Sequence, residues 1–318
     1  MGTRAHTVPR FYLGGFVAPE SDAYQDPFVW VGSLTTGDII RQSPKNISIV
    51  PGLYDGPGAL TGPGASIEAH LSKIESAAAV AIRKLSATPS ADGDVGPPEI
   101  WPFLAWQAAR TPGWMELEQQ WINDPPFNLE AEVVEPPPPG IEGFGDRVRP
   151  HCLEDQNTGT RREVIDAEEF AAYRKQGWKW VLTRDDPLEM MYMQAWYFQV
   201  RHFRRLSWVR LDAPDGEWFI TSDRGVAWVV DGLPDTPPAA LRHPTAQVVA
   251  PLTRKIALVG RHGTHRLQVT PREVNRFVAF AASDWIVGPT RGVVETALID
   301  RERVITLDRN VGTSSRII

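Results

Sequence analysis

Cysteine is almost missing from this 318-residue chain, Cys152 being the only one. A lone thiol excludes an internal disulfide and any zinc site built on several thiolates, and it fits a reducing compartment. There is no run of about 18 apolar residues that could cross a bilayer. The start of the chain lacks the basic-then-apolar order of a signal peptide, its apolar piece being broken by Gly14 and Gly15. The expectation is a cytoplasmic protein that neither spans a membrane nor is exported. Excess positive charge is also absent: the net charge is −6 and the isoelectric point about 5.7. That balance argues against an extended electrostatic footprint for duplex nucleic acid. Finally, the standard catalytic signatures are missing. The chain has no phosphate-cradling G-x-x-x-x-G-K-[ST], no G-x-S-x-G elbow, no H-E-x-x-H pair and no dinucleotide glycine fingerprint after a strand.

What remains is ordinary globular material, 42% hydrophobic and 23% charged, enough to bury a core. The stretch "AHTVPRFYLGGF" at 5–16 reads as a first strand or the buried start of a folded domain. "FVWVGSLTTGDIIRQS" has two apolar pieces around a turn-rich centre and reads as a hairpin. Ser66 is an N-cap residue for the clearest helix, 66–85, whose apolar stripe is Ile67, Leu71, Ile74, Ala78, Ile82 and Leu85. A second helix, starting at Glu99, should stop just past Arg110, because Pro112 disfavours helix at Thr111. Phe103, Trp106, Gln107 and Arg110 share one of its faces. Further helices are expected over 166–177 and 186–206.

Four consecutive prolines within 133–150 mark a surface excursion and a candidate subdomain boundary in a single domain over 1–318. Five strand-like runs follow Leu206, and a last helix over 270–287 is expected to close them through Val274, Phe277, Val278 and Ala281. The order points to an α+β fold with an N-terminal β-hairpin, central helices, and C-terminal antiparallel strands closed by a helix.

Five polar residues stand in apolar contexts: His6, Glu68, Glu75, Arg110 and Asp223. Glu68 and Glu75 lie seven positions apart, about two helical turns, so both project along one line at the edge of the apolar stripe. A half-desolvated carboxylate there suits a divalent-metal ligand or a general base, and a first-turn glutamate or a boundary salt bridge equally well. Arg110, at a helix end, can pair with a buried carboxylate such as Glu75 or grip a phosphate. His6 fits either a ligand or a hydrogen-bonded boundary residue. Asp223 ends an apolar run in "TSD", where it can hold a metal or simply cap backbone donors.

The chain resembles a bacterial family, the domain of unknown function 4238. The pieces that carry the resemblance run in order: "HTVPRFYLGGF" at 6–16, "VWVGSLTTG" at 29–37, "SPKNI" at 43–47, Tyr54, "SIEAHLSKIESAAAVAIRKL" at 66–85, "LAWQAARTP" at 104–112, "FITSD" at 219–223, "PLT" at 251–253 and "VNRFVAFAASDWIV" at 274–287. Two departures stand out. Arg224, Gly225 and Val226 follow the "TSD" where the family has Asn-Pro-Val, and the proline-rich stretch looks like an insertion. The resemblance implies a shared fold over nearly the whole chain and carries no activity with it, but His6, Glu68, Glu75, Arg110 and Asp223 all fall inside the matching motifs.

Two functions are compatible with these residues. One is metal-assisted hydrolysis of a phosphodiester or nucleotide-like substrate, with Glu68, Glu75 and Asp223 as ligands of Mg²⁺ or Mn²⁺. His6 would assist them or orient a water, and Arg110 would neutralise developing charge. The other is a non-catalytic binding or interaction protein, in defence or regulation, whose polar motif residues stitch helices to sheet.

Overall fold

The computed structural model describes residues 4–21, 25–51, 67–88, 97–110, 151–155, 157–164, 172–173, 175–180, 203–231, 233–235, 243, 245–262 and 269–310. Most of the expected helices over 186–206 and 166–177, and the proline-rich stretch, lie outside them; of the first of these helices only 203–206 are described, with a single 3-10 turn over Phe203–Arg205. Within them the fold is α+β, as the order of elements indicates.

The first segment is strand only over β1 (Arg4–His6), which pairs antiparallel with β4 (Ile49–Pro51). Pro9, with φ at −64°, presets the backbone for a helical turn. The residues read as a continuing strand instead form α1 (Arg10–Leu13). The segment is nonetheless a buried start, with Tyr12, Leu13 and Phe16 at most 1% exposed.

The hairpin forms where the alternation places it, with β2 (Val29–Ser33) against β3 (Ile39–Gln42) and Gly37 at φ +76° in the turn. It does not stand alone. A late strand, β14 (Trp285–Gly288), pairs with β2 on one side and β9 (Thr221–Ser222) on the other, giving a four-stranded antiparallel sheet in the order β3-β2-β14-β9. β14 lies inside the segment expected to be a single helix. That helix, α4 (Pro271–Ala281), starts at a capping box between Thr270 and Glu273, as "TPRE" demands, and stops at Ala282 in extended backbone. The apolar run "WIV" then satisfies the strand period, and its partners are supplied by β2 and β9. α4 closes the C-terminal strands as expected, with Val274, Phe277 and Val278 buried; a further helix, α5 (Arg291–Asn310), follows β14. It lies against β2 and β14, so closely that a Cβ on Gly32 would come within 2.7 Å of Val294 Cγ1.

The larger sheet has five antiparallel strands in the order β11 (Leu233–Asp235), β10 (Ala227–Val230), β12 (Gln247–Pro251), β13 (Ile256–Arg261) and β8 (Ser207–Asp212). Its centre is fully covered: every residue of β12 is buried. α4 packs against β9, β10, β11 and β12 and so joins the two sheets. Asn275 fixes that joint, accepting from the Ile220 amide at 2.9 Å and donating to the Trp218 carbonyl at 2.8 Å. A smaller antiparallel sheet holds β5 (His151–Asp155), β6 (Arg161–Val164) and β7 (Trp178–Trp180).

The helix stripe behaves as its period requires: in α2 (Ile67–Ala87), Leu71, Ala78, Ile82 and Leu85 are buried. α2 packs on α3 (Ile100–Ala109), which ends at Arg110 as Pro112 dictates. The α3 residue Trp101 stacks on Trp208 of β8, ring centres 4.8 Å apart, bringing the helical layer onto the five-stranded sheet.

Candidate functional site

α3 is apolar nearly all round, and a helix of that kind is covered on every side. Two polar residues, Gln107 and Arg110, three positions apart on one face, are nevertheless completely buried. Each needs partners, since an unpaired buried polar group costs about 1–3 kcal/mol. Arg110 Nη1 donates to Glu75 Oε1 of α2 at 2.8 Å, and its Nη2 donates to Gln107 Oε1 at 2.7 Å. Gln107 Nε2 passes the chain on to the Thr7 carbonyl at 3.3 Å. One continuous hydrogen-bonded line thus runs from α2 through α3 to the segment after β1. The Arg110 Nε is buried and has no partner among the described residues. Its side chain is 1% exposed against 27% for Glu75, so the carboxylate, not the guanidinium, forms the solvent boundary of the pair.

His6 adjoins the end of this line through Thr7. Its Nδ1 lies 3.2 Å from the Ile47 carbonyl. A carbonyl can only accept, so Nδ1 carries the proton and Nε2 is left as the acceptor in the neutral ring.

Asp223 belongs to a neighbouring cluster. The turn that carries it touches the line at Gly225, where a Cβ would meet Gln107 Cγ at 2.6 Å, and where φ is +65°. Glycine at this position, one of the departures from the family pattern, is therefore demanded twice over: by left-handed backbone and by close approach. The Asp223 carboxylate itself accepts from the Ser283 amide, at 3.1 and 3.2 Å to its two oxygens. Burial pushes its pKa up to about 6; the Ser283 hydrogen bond opposes the rise, Asp284 adds to it, and Arg224 again opposes it. Arg224 is held over the same loop by Nε donating to Ser283 Oγ at 3.1 Å.

The structure therefore joins Glu75 and Arg110 directly, sets His6 beside the end of their line, and binds Asp223 to Ser283. Glu68 lies in α2, but its side chain is outside the described residues. Among the described residues no hydrogen bond or ion pair links Asp223 to His6, Glu75 or Arg110. Nor do any three or more His, Cys, Asp or Glu side chains there form a group that could hold a metal ion.

Two polar residues in this region were not singled out by pattern. Gln107 had a visible signal, a second polar side chain on the buried face three residues before Arg110. Tyr12 had none, because its partners come from more than 200 positions away. Its hydroxyl donates to the Pro251 carbonyl at 2.6 Å and lies 2.8 Å from Thr221 Oγ1. With its one proton on Pro251, it accepts from Thr221. Burial pushes the phenol well above its usual range, opposed by the Thr221 bond, so it remains a donor. One hydroxyl thus pins α1 to β9 of the smaller sheet and β12 of the larger. Tyr12→Phe strands both partners and lowers the unfolding free energy by about 1–3 kcal/mol in urea titration, with the ring's packing intact.

No curated protein and no solved structure matches this chain. The sequence model of DUF4238, described as a protein of unknown function, matches residues 4–292. That span includes the His6, Glu75, Arg110 and Asp223 positions, and the chain belongs to the DUF4238 family.

Proposed function

We propose that this protein is a non-catalytic binding or interaction protein, acting in the bacterial cytoplasm in regulation or defence, and that its conspicuous polar residues serve the fold. One observation carries this reading. Arg110, the residue best suited to grip a phosphate, has its side chain 1% exposed and spends two of its donors on Glu75 and Gln107. A guanidinium with no surface cannot touch a substrate without dismantling α3. His6 and Asp223 are likewise engaged, by the Ile47 carbonyl and the Ser283 amide.

A second reading rests on the two groups at the boundary of this line. Glu75 is partly exposed, and His6 presents Nε2 as an acceptor. Metal-assisted hydrolysis of a phosphodiester or nucleotide-like substrate would use them with Mg²⁺ or Mn²⁺, joined by Glu68 and Asp223, with Arg110 holding Glu75 in position. Thermal unfolding with EDTA and then with each metal, beside elemental analysis, separates the two. The binding reading expects no stoichiometric metal and an unmoved midpoint. A midpoint that falls in EDTA, recovers with one metal and loses that response in Glu75→Gln sinks it in favour of the hydrolase.

A further inference from the structure

One more set of ligating side chains comes together among the described residues, away from the Arg110 line and at one end of the five-stranded sheet. Asp231 opens the tight turn between β10 and β11, where Val230 pairs with Leu233. Its φ is +52°, a conformation that aspartate tolerates better than most residues. His243 and Thr245 stand just before β12, the strand that pairs with β10. The Thr245 hydroxyl joins all three residues. It donates to Asp231 Oδ1 at 2.6 Å, accepts from the Asp231 amide at 3.2 Å and lies 2.8 Å from His243 Nδ1.

A hydroxyl has a single proton to give. The carboxylate takes it here, so Thr245 Oγ1 can only accept from the ring, and His243 Nδ1 carries the ring proton. The Thr245 amide also approaches Nδ1, at 3.4 Å, but an unprotonated Nδ1 would leave the much shorter 2.8 Å contact without a hydrogen. Nε2 of the neutral ring is then a bare acceptor, and it faces a second acceptor, Asp231 Oδ2, at 3.9 Å. No hydrogen of the neutral cluster joins these two atoms; a cation between them satisfies both. An imidazole nitrogen beside a carboxylate oxygen suits Zn²⁺ and not Mg²⁺, which favours oxygen alone. A tetrahedral ion about 2.1 Å from each ligand sets them about 3.4 Å apart. Closure therefore asks only for a small turn of the Asp231 side chain, which is 62% exposed.

We propose that Asp231 Oδ2 and His243 Nε2 form a Zn²⁺ site, with Thr245 holding both ligands in place and water in the remaining positions. Partners behind the ligands orient metal sites in this way, and here one hydroxyl fixes both the ring N–H and the second carboxylate oxygen. The ion clamps the β10–β11 turn to the entry of β12. Two protein ligands hold it reversibly, so the site loads from added Zn²⁺ and does not carry metal through purification.

Zinc titration of the whole chain at mildly alkaline pH, followed by calorimetry and by the nitrogen resonances of its imidazole rings, tests this. Wild type is expected to take up one Zn²⁺ that excess Mg²⁺ does not displace, with the shifted ring nitrogen being the one that disappears in His243→Ala. His243→Ala and Asp231→Asn should both lose the ion, and asparagine keeps the left-handed turn. Thr245→Val retains both ligands and should bind at least tenfold more weakly. Circular dichroism of each variant should match wild type. Absence of zinc uptake overturns the proposal, as does uptake that His243→Ala leaves intact, which assigns the ion to other histidines. Thr245→Val binding as tightly as wild type also overturns it, since the pair would then be an adventitious surface contact. The site shares no residue with the hydrolase reading. A zinc response that persists in Glu75→Gln and vanishes in His243→Ala belongs here, and failure here leaves the binding reading to its own Mg²⁺, Mn²⁺ and stability measurements.

Discussion

Glu75→Ala and Arg110→Ala each lower the unfolding free energy by about 3–5 kcal/mol in urea titration at neutral pH, for different reasons. Removing Glu75 strands a guanidinium that has no surface of its own and whose Nε already has no partner among the described residues. Removing Arg110 empties the largest fully buried side-chain volume in the described core and leaves Gln107 Oε1 without its donor. Because both act on one ion pair, the double variant loses much less than the sum, and the cycle isolates the coupling. Glu75→Gln keeps an acceptor for Nη1 but not the charge, so it falls between wild type and Glu75→Ala. If both alanine variants cost under about 1 kcal/mol, the pair behaves like an exposed salt bridge. The idea that this line stitches α2 and α3 to the N-terminal segment would then be wrong.

The second large effect is a pH dependence of unusual sign. Asp223 rises from the ordinary 3.8 to about 6 in the fold, chiefly through burial. The charges around it are Asp284, which raises its pKa further, Arg224, which opposes the rise, and Arg301. Between those two values the native state binds the proton and the unfolded state has released it. Stability therefore falls as pH climbs through that window, the reverse of a salt-bridged carboxylate. At about 1.4 kcal/mol per unit, the contribution lost by pH 7 is about 3 kcal/mol, with no further change above it. Asp223→Asn retains an oxygen for the Ser283 amide and carries no charge at any pH. The difference in unfolding free energy between variant and wild type should therefore grow in the variant's favour from pH 4 to pH 7. A difference that stays flat across that range would show that Asp223 is ionised without penalty.

Local pattern carried a good deal of this fold. The stripe of α2, the end of α3 at Arg110, the β2–β3 hairpin and the capping box of α4 follow from periodicity, proline sterics and hydrogen-bond satisfaction within a few residues. Those forces act over short distances and are written into adjacent positions. The pairing of Arg110 with Glu75 was legible for a related reason. An arginine on an otherwise apolar helix face requires a carboxylate, and α2 carries one at the edge of its stripe.

Other assignments were not settled by local pattern. "WIV" at 285–287 continues a helical apolar pattern yet becomes β14: the helix has ended at Ala282, in extended backbone, and β2 and β9, from distant parts of the chain, offer the run two ladders. α5 was not expected although Val294, Ala297 and Leu298 recur at helical spacing; its place is set by the close approach to β2 that Gly32 permits. Tyr12, read as part of a strand, is a hinge pin whose acceptor and donor arrive from Pro251 and Thr221. Asp223, whose sequence context allows either a metal ligand or a cap on backbone donors, accepts from the Ser283 amide, a group 60 positions away.

By itself, then, the sequence determined the α+β class, the helical faces that are buried, the polar residues that require partners, and membership of the DUF4238 family. Only the tertiary structure decided which partners they take. Hydrogen bonding and desolvation are settled by whichever groups folding brings within about 3 Å, and for Arg110, His6, Tyr12 and Asp223 those groups lie from three to more than two hundred positions away.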